Sequence, residues 1–374
     1  MKKDKIDYYT LDAIRKVDAQ WNVIFGQRSN GKTYAVLTMG LDNYANDGKQ
    51  MAIVRRYLDD IMPSKISTIF AGIVKNGYIR DLYKNTPEKW TDVVYSKRKF
   101  YLARWDKGKD DEKKLVTDKN PFAYVFAVTE EEDYKQNSYP DITTIFFDEF
   151  LSRTGYLSDE FVIFCNIVST IKRLRTDVTI WLVGNTINQY CPYFTEMGIK
   201  HAYDIPIGKI EVYTYGESKL KVAVQRAENI KKGGKAIVDD YFAFDNPKLK
   251  MITSGEWELD IYPHAPCKWL PKEIRYTYFI KFDDNLYQCE VIKHEHNWFT
   301  FIHRKTTPIR DPTKDLIFQQ DVALGRNIRS RITEPTDELG KKLLSFFVCD
   351  KVFYQDNEVG DAIANYLDWC GKVH

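Results

Sequence analysis

Asn22-Val23-Ile24-Phe25-Gly26-Gln27-Arg28-Ser29-Asn30-Gly31-Lys32-Thr33 is the stretch that decides how this chain is read. A β-prone run enters a loop of the form G-x-x-x-x-G-K-T, and Tyr34-Ala35-Val36-Leu37-Thr38-Met39 continues as a helix; this is the sequence form of a P-loop. The spacing has a chemical reason. Gly26 and Gly31 let the backbone curl so that successive N–H groups, including those of Arg28, Ser29 and Asn30, converge on phosphate oxygens beside the positive end of the helix dipole. Lys32 is placed to reach the β- and γ-phosphates of ATP, and the Thr33 hydroxyl to ligate Mg²⁺.

Working outward, Ile142-Thr143-Thr144-Ile145-Phe146-Phe147-Asp148-Glu149-Phe150 is an apolar strand ending in an acid pair, the Walker B pattern. Asp148 is the expected Mg²⁺ ligand and Glu149 the expected base for the attacking water. A further strand, Val178–Gly184, ends at Asn185, a polar residue suited to sensing the γ-phosphate. Just before it, Ile171-Lys172-Arg173-Leu174-Arg175 is either a surface helix end or, in a ring of identical subunits, the source of an arginine that neutralises a neighbour's transition state.

Met51–Tyr57 reads as a buried strand closing on Arg55 and Arg56, and Leu11–Val17 as a short helix before the loop strand. Alternating strands and helices imply an α/β fold with a central, mostly parallel sheet, whose ligands gather at the carboxyl ends of its strands. Val93–Lys97 and Lys99–Ala103 alternate like a hairpin, followed by a charged excursion at 107–119. Lys97, Arg98, Lys99, Lys107, Lys109, Lys113 and Lys114 make this region basic, as a solvated loop or a DNA-facing one. Gly208–Tyr215 alternates as a sheet-closing strand, and Ser218–Lys232 is expected to be a basic helix acting as lid or linker.

At 374 residues the chain suggests two domains, and 44% hydrophobic and 14% aromatic content excludes a disordered protein. With a net charge of +2, any nucleic-acid surface is a local basic stripe. The six cysteines have no C-x-x-C pairing, and no leader or membrane-spanning run is visible, so a soluble intracellular protein with reduced thiols is expected.

The P-loop with arginine at its third position, Val54-Arg55-Arg56-Tyr57, and Lys135-Gln136-Asn137-Ser138-Tyr139-Pro140 come in a telling order. Asp148-Glu149-Phe150, Arg173, and Asn185 with Asn188 through Pro192-Tyr193-Phe194 complete the series. Together they resemble the DNA encapsidation proteins, the terminase-like packaging ATPases of φ29-type short-tailed phages, over most of residues 18–200 and faintly again at Phe353, Asp356–Val359 and Ile363-Ala364. The resemblance implies an additional-strand, catalytic-glutamate P-loop ATPase that works as a homo-oligomeric ring, a pentamer by analogy. Such a ring drives double-stranded DNA through a portal into a procapsid in the host cytoplasm, in some cases with a structural packaging RNA. It also implies that Arg173 acts in trans and that Lys135 makes a second contact across subunits.

On this reading residues 1–206 form the ATPase domain, 207–250 a linker, and 251–374 an α+β domain resembling a degenerate, nuclease-inactive RNase H-like fold. The strands expected at Ile274–Phe282, Leu286–Lys293 and Trp298–Arg304 lack clustered inward carboxylates, because Asp283 and Asp284 fall in a turn. His294, Glu295 and His296 form a turn cluster with no further ligand for a metal. The alternatives are a DNA-remodelling, helicase-like ATPase and a non-hydrolysing scaffold, the latter disfavoured by Glu149; a guanine-nucleotide switch lacks its N-K-x-D motif.

Overall fold

The computed structural model describes residues 6–107, 113–152, 155–185, 191–229, 231–232, 235–236, 262–265, 267–320 and 325–371. Lys109 and Asn188, singled out above, residues 233–234 just beyond the expected basic helix, and the side chains of Lys231 and Lys232 lie outside what is described. The chain forms two compact units, Met1–Trp257 and Glu258–His374.

The first unit is built on a ten-stranded sheet. Its strands are β1 (Trp21–Gly26), β2 (Gln50–Arg55), β3 (Asp92–Ser96), β4 (Lys99–Lys107), β5 (Lys113–Thr117) and β6 (Ala123–Ala127). β7 (Ile142–Asp148), β8 (Thr179–Asn185), β9 (Ile210–Tyr215) and β10 (Leu220–Arg226) complete it. The spatial order is β9-β10-β1-β8-β7-β2-β6-β4-β3, with β5 on β4. From β10 to β6 every pairing is parallel, while the hairpins at the two edges are antiparallel.

These central strands are near-continuous apolar runs because helices cover both faces. Val23 and Phe25 face one core, with Phe164, Ile167 and Ile171 of α2 (Glu160–Lys172). Ile24 faces the other, with Val36, Leu37 and Leu41 of α1 (Lys32–Asp47). Burying each of these large side chains contributes about 1.5–3 kcal/mol. α1 ends where Gly48 takes a left-handed φ of 68°.

The basic helix expected over Ser218–Lys232 is absent: residues 216–219 form a turn and Leu220–Arg226 is β10, in register with β1. Val222, Ala223 and Val224 are buried on both faces of the sheet. β-branched residues with two apolar faces to cover fit a strand, and this outweighs the helical spacing of the flanking Lys219, Lys221 and Arg226.

The second unit holds β11 (Ile274–Phe282), β12 (Asn285–His294), β13 (Asn297–Arg304), β14 (Ile317–Gln319), β15 (Ile328–Arg329) and β16 (Val352–Tyr354). They order as β15-β14-β11-β12-β13-β16, with β11–β13 an antiparallel meander and the rest added in parallel. Asp283 and Asp284 form the first turn, at φ 49° and 60°. Helices α3 (Glu338–Val348) and α4 (Asn357–Gly371) follow, and Val359, Ile363 and Tyr366 of α4 are buried, Tyr366 against Phe282. Among the described residues no helix is long and apolar enough to cross a membrane.

Candidate nucleotide site

Parallel strands deliver their carboxyl ends to one edge, and the chemistry-bearing residues converge there. β1 and β7 are separated only by β8, so the glycine-rich loop and the acid pair are near neighbours. The loop turns through Ser29 at φ 60° and Gly31 at φ 99° before Lys32 opens α1. A Cβ at Gly31 would sit 3.3 Å from the Tyr8 Cβ, so both backbone angle and space call for glycine.

Lys32 is 4% exposed, and its Nζ donates to Gly26 O (3.1 Å), Gln27 O (2.6 Å) and Asn30 Oδ1 (3.1 Å), with Asn185 Oδ1 at 3.4 Å. Burial pulls its pKa down from 10.5 to about 7, against the pull of Asp148, which favours the ammonium. Asn30 is itself buried and donates from Nδ2 to Glu228 O, which ties the loop to the segment after β10. Arg28 and Ser29 lie on the exposed outer turn of the loop.

Thr33 Oγ1 donates to Asp148 Oδ1 at 2.9 Å. Arg55 bridges the acid pair, with Nη2 3.0 Å from Asp148 Oδ2 and Nη1 2.8 Å from Glu149 Oε2. Burial raises the Asp148 carboxyl above its usual 3.8, and Arg55 opposes the rise. Glu149 is the opposite case, with a side chain 67% exposed on a backbone at φ 63°. Beside the loop a cavity of about 710 Å³ is walled by Tyr9, Arg15, Asp42, Lys32, Thr33 and Asn185. The first three come from segments whose sequence carries no chemical pattern, and nothing in the chain signals them.

Arg173 is not part of this cluster. It follows the last turn of α2 at φ 41°, is exposed, and donates from Nη2 to Asn137 O at 2.8 Å. It precedes β8 whereas Asn185 ends it, so the strand's length, on the order of 20 Å, lies between Arg173 and the loop. Lys135 is paired within its own helix turn, to Glu131 at 3.2 Å and Glu132 at 2.6 Å.

Of the basic cluster, Lys97 and Arg98 form the β3–β4 turn, Lys99 lies over the Tyr124 ring, and Lys113 and Lys114 are exposed on β5. In the second unit His294 is bound to Glu273 at 2.8 Å. Among the described residues no group of three or more His, Cys, Asp or Glu is placed to hold a metal.

Arg56 and Glu160 form a buried ion pair beside the acid pair that the sequence did not disclose. Arg56 Nε meets Glu160 Oε2 at 2.8 Å in the core, while Nη1 and Nη2 donate to the carbonyls of Glu149 (3.3 Å) and Phe150 (2.7 Å). The arginine was visible as a strand-end residue; its partner lies in an unremarkable helix start.

Residues 3–214 match the family described as podovirus DNA encapsidation protein (Gp16). The DNA packaging protein of Bacillus phage phi29 is 27% identical over 198 residues, covering 51% of this chain and 50% of that protein. The DNA packaging protein of Bacillus phage B103 is 25% identical over 181 residues, 48% of each. The chain thus matches about half the length of these curated relatives. Among solved structures, the bacteriophage Phi-29 viral genome packaging motor assembly aligns with TM-score 0.55 at 16% identity, over 98% of this chain and 99% of that one. The Phi-28 gp11 DNA packaging motor gives 0.53 at 18% identity, again over 98% and 99%. At these identities the likeness is one of fold.

Proposed function

The chain belongs to the podovirus DNA encapsidation protein (Gp16) family, and from that membership we propose that it is an ATP-driven motor moving double-stranded viral DNA through a portal into a procapsid. The observation that carries the reading is the 2.9 Å contact of Thr33 with Asp148, which unites the loop and the acid strand at one sheet edge. The intervening β8 supports the additional-strand class of P-loop ATPase.

Thr33 and Asp148 are hard oxygen donors that already converge, so they fit Mg²⁺ and would hold it. Bound there, the ion supplies charge neutralisation at the β- and γ-phosphates. The loop N–H groups and Lys32 bind the triphosphate, and Asn185, beside Lys32, reports loss of the γ-phosphate. Glu149, exposed enough to meet water, takes a proton from the water as its oxygen bonds to the γ-phosphorus and the bond to ADP breaks. Arg173, remote from its own site, would complete a neighbour's in a ring, pentameric by family analogy, with Lys135 as a second cross-subunit contact.

DNA contacts are expected mainly to phosphates, since packaging must accept any sequence; the basic β3–β4 and β5 region is the first place to look for them. Residues 258–374 read as a degenerate RNase H-like binding module, supported by a meander extended by parallel strands on its first-strand edge. Its family would place the motor on the procapsid in the host cytoplasm, with a packaging RNA where the phage has one.

The test is ATP turnover with and without duplex DNA, beside Glu149→Gln. Intact duplex should stimulate turnover without strand separation, and the variant should bind ATP but lose about 10²–10⁴ in rate. An undiminished variant removes Glu149 from the chemistry, and duplex unwinding favours a remodelling ATPase.

A further inference from the structure

Arg55 closes β2 and Arg56 is the next residue, in the bend that follows the strand. Both reach the same acid pair. Arg55 grips the carboxylates, whereas Arg56 takes hold of the main chain, at Glu149 O and Phe150 O. We propose that Arg56 is a positioning residue for Glu149, with Glu160 as the counter-charge that orients it; the proposal rests on the ATPase reading above.

The main chain at Glu149 needs holding. A non-glycine residue at φ 63° sits in a left-handed conformation that costs about 1–2 kcal/mol, and such angles persist only when surroundings over-determine them. Phe150 N donates to Val183 O on the neighbouring strand at 3.2 Å, which fixes one side of the bend. The guanidinium fixes the other. It lies over the Phe147 and Tyr156 rings, and its fork serves three acceptors at once, two carbonyls and Glu160.

Glu160 is held just as firmly. Oε2 also accepts from Leu157 N (2.9 Å), and Oε1 accepts from the Tyr193 hydroxyl (3.0 Å). A lysine ammonium cannot reproduce this planar, three-way geometry. Nor does stability explain the pair, because buried ion pairs replaced by apolar residues of similar size are often no less stable. A desolvated arginine whose donors close on the backbone of the acid pair is better explained by where it puts Glu149.

The test separates positioning from support. Arg56→Lys keeps the charge opposite Glu160, and the double variant Arg56→Met, Glu160→Leu replaces the pair with apolar volume. Both are measured in the full-length chain for melting temperature, nucleotide affinity, kcat and KM. The expected result is a kcat lowered by about 10²-fold, the scale of a 1 Å misplacement, with KM and nucleotide affinity within about twofold and at least one variant melting like the parent. Wild-type kcat in either variant overturns the proposal. So does a kcat loss that tracks the folded fraction in both, which would make Arg56 a core strut. A parent chain that hydrolyses no ATP at any protein concentration fails the functional reading itself, and is told apart because no variant is needed to see it.

Discussion

An ammonium buried against Gly26 O, Gln27 O and Asn30 Oδ1 is easier to discharge than one in water, which is why Lys32 falls to about 7. A triphosphate beside it acts the other way and favours the charged form. Between about 7 and the ordinary 10.5, nucleotide binding should therefore take up a proton, and affinity should fall as pH rises through that range. Calorimetry at pH 8.5 in buffers of different ionisation heat should register uptake approaching about one proton per nucleotide. Equal apparent enthalpies in all buffers would mean that Lys32 is already charged. At this scale the sequence was informative where chemistry demands fixed spacing: Gly26, Gly31, Lys32 and Thr33 fall within one eight-residue stretch, and Asp148 ends a strand legible by its apolar run. Arg55 and Arg56 could be placed on the phosphate side but not partnered, because Glu160 is chosen by tertiary packing rather than by any local pattern.

At the scale of elements, the β12–β13 pair carries a linkage of its own. His303 Nε2 lies 3.5 Å from Glu290 Oε1, and that hydrogen bond raises the imidazole above 6.5. Burial alone would lift Glu290, yet hydrogen bonds from His303 and Gln288 hold it below 4.5. The histidine's contribution is complete below 6.5 and is lost as pH rises through its folded value. The glutamate's is complete above 4.5 and is lost as pH falls through its own. Both are complete together only between about 4.5 and 6.5. The gap in melting temperature between the parent and His303→Gln should be widest in that window and narrow on either side, and a gap that does not move with pH would exclude the pair as its source. Elements with one strong period were readable: the meander falls where alternation puts it. β10 was not, since its lysines and arginine mimic a basic helix face until Val222 and Val224 are seen to pack beside β1.

For the whole molecule, the decisive separation is between Glu149 at the carboxyl edge of the sheet and Arg173 at the amino edge. If Arg173 serves a neighbour, mixing Arg173→Ala with Glu149→Gln subunits should restore part of the turnover that each lacks alone. No recovery at any ratio would assign Arg173 a role within its own subunit or none. The chain divides into two compact units at Trp257 and Glu258.

The distance spanned by β8 has a further meaning under that arrangement. A polypeptide whose two essential side chains point at different substrate molecules is half an enzyme twice over, and in isolation it idles. Fuel is then burned only where copies have gathered, so specific activity in the same titration should climb with protein concentration instead of staying flat. Stray subunits adrift in an infected cell would leave its ATP alone.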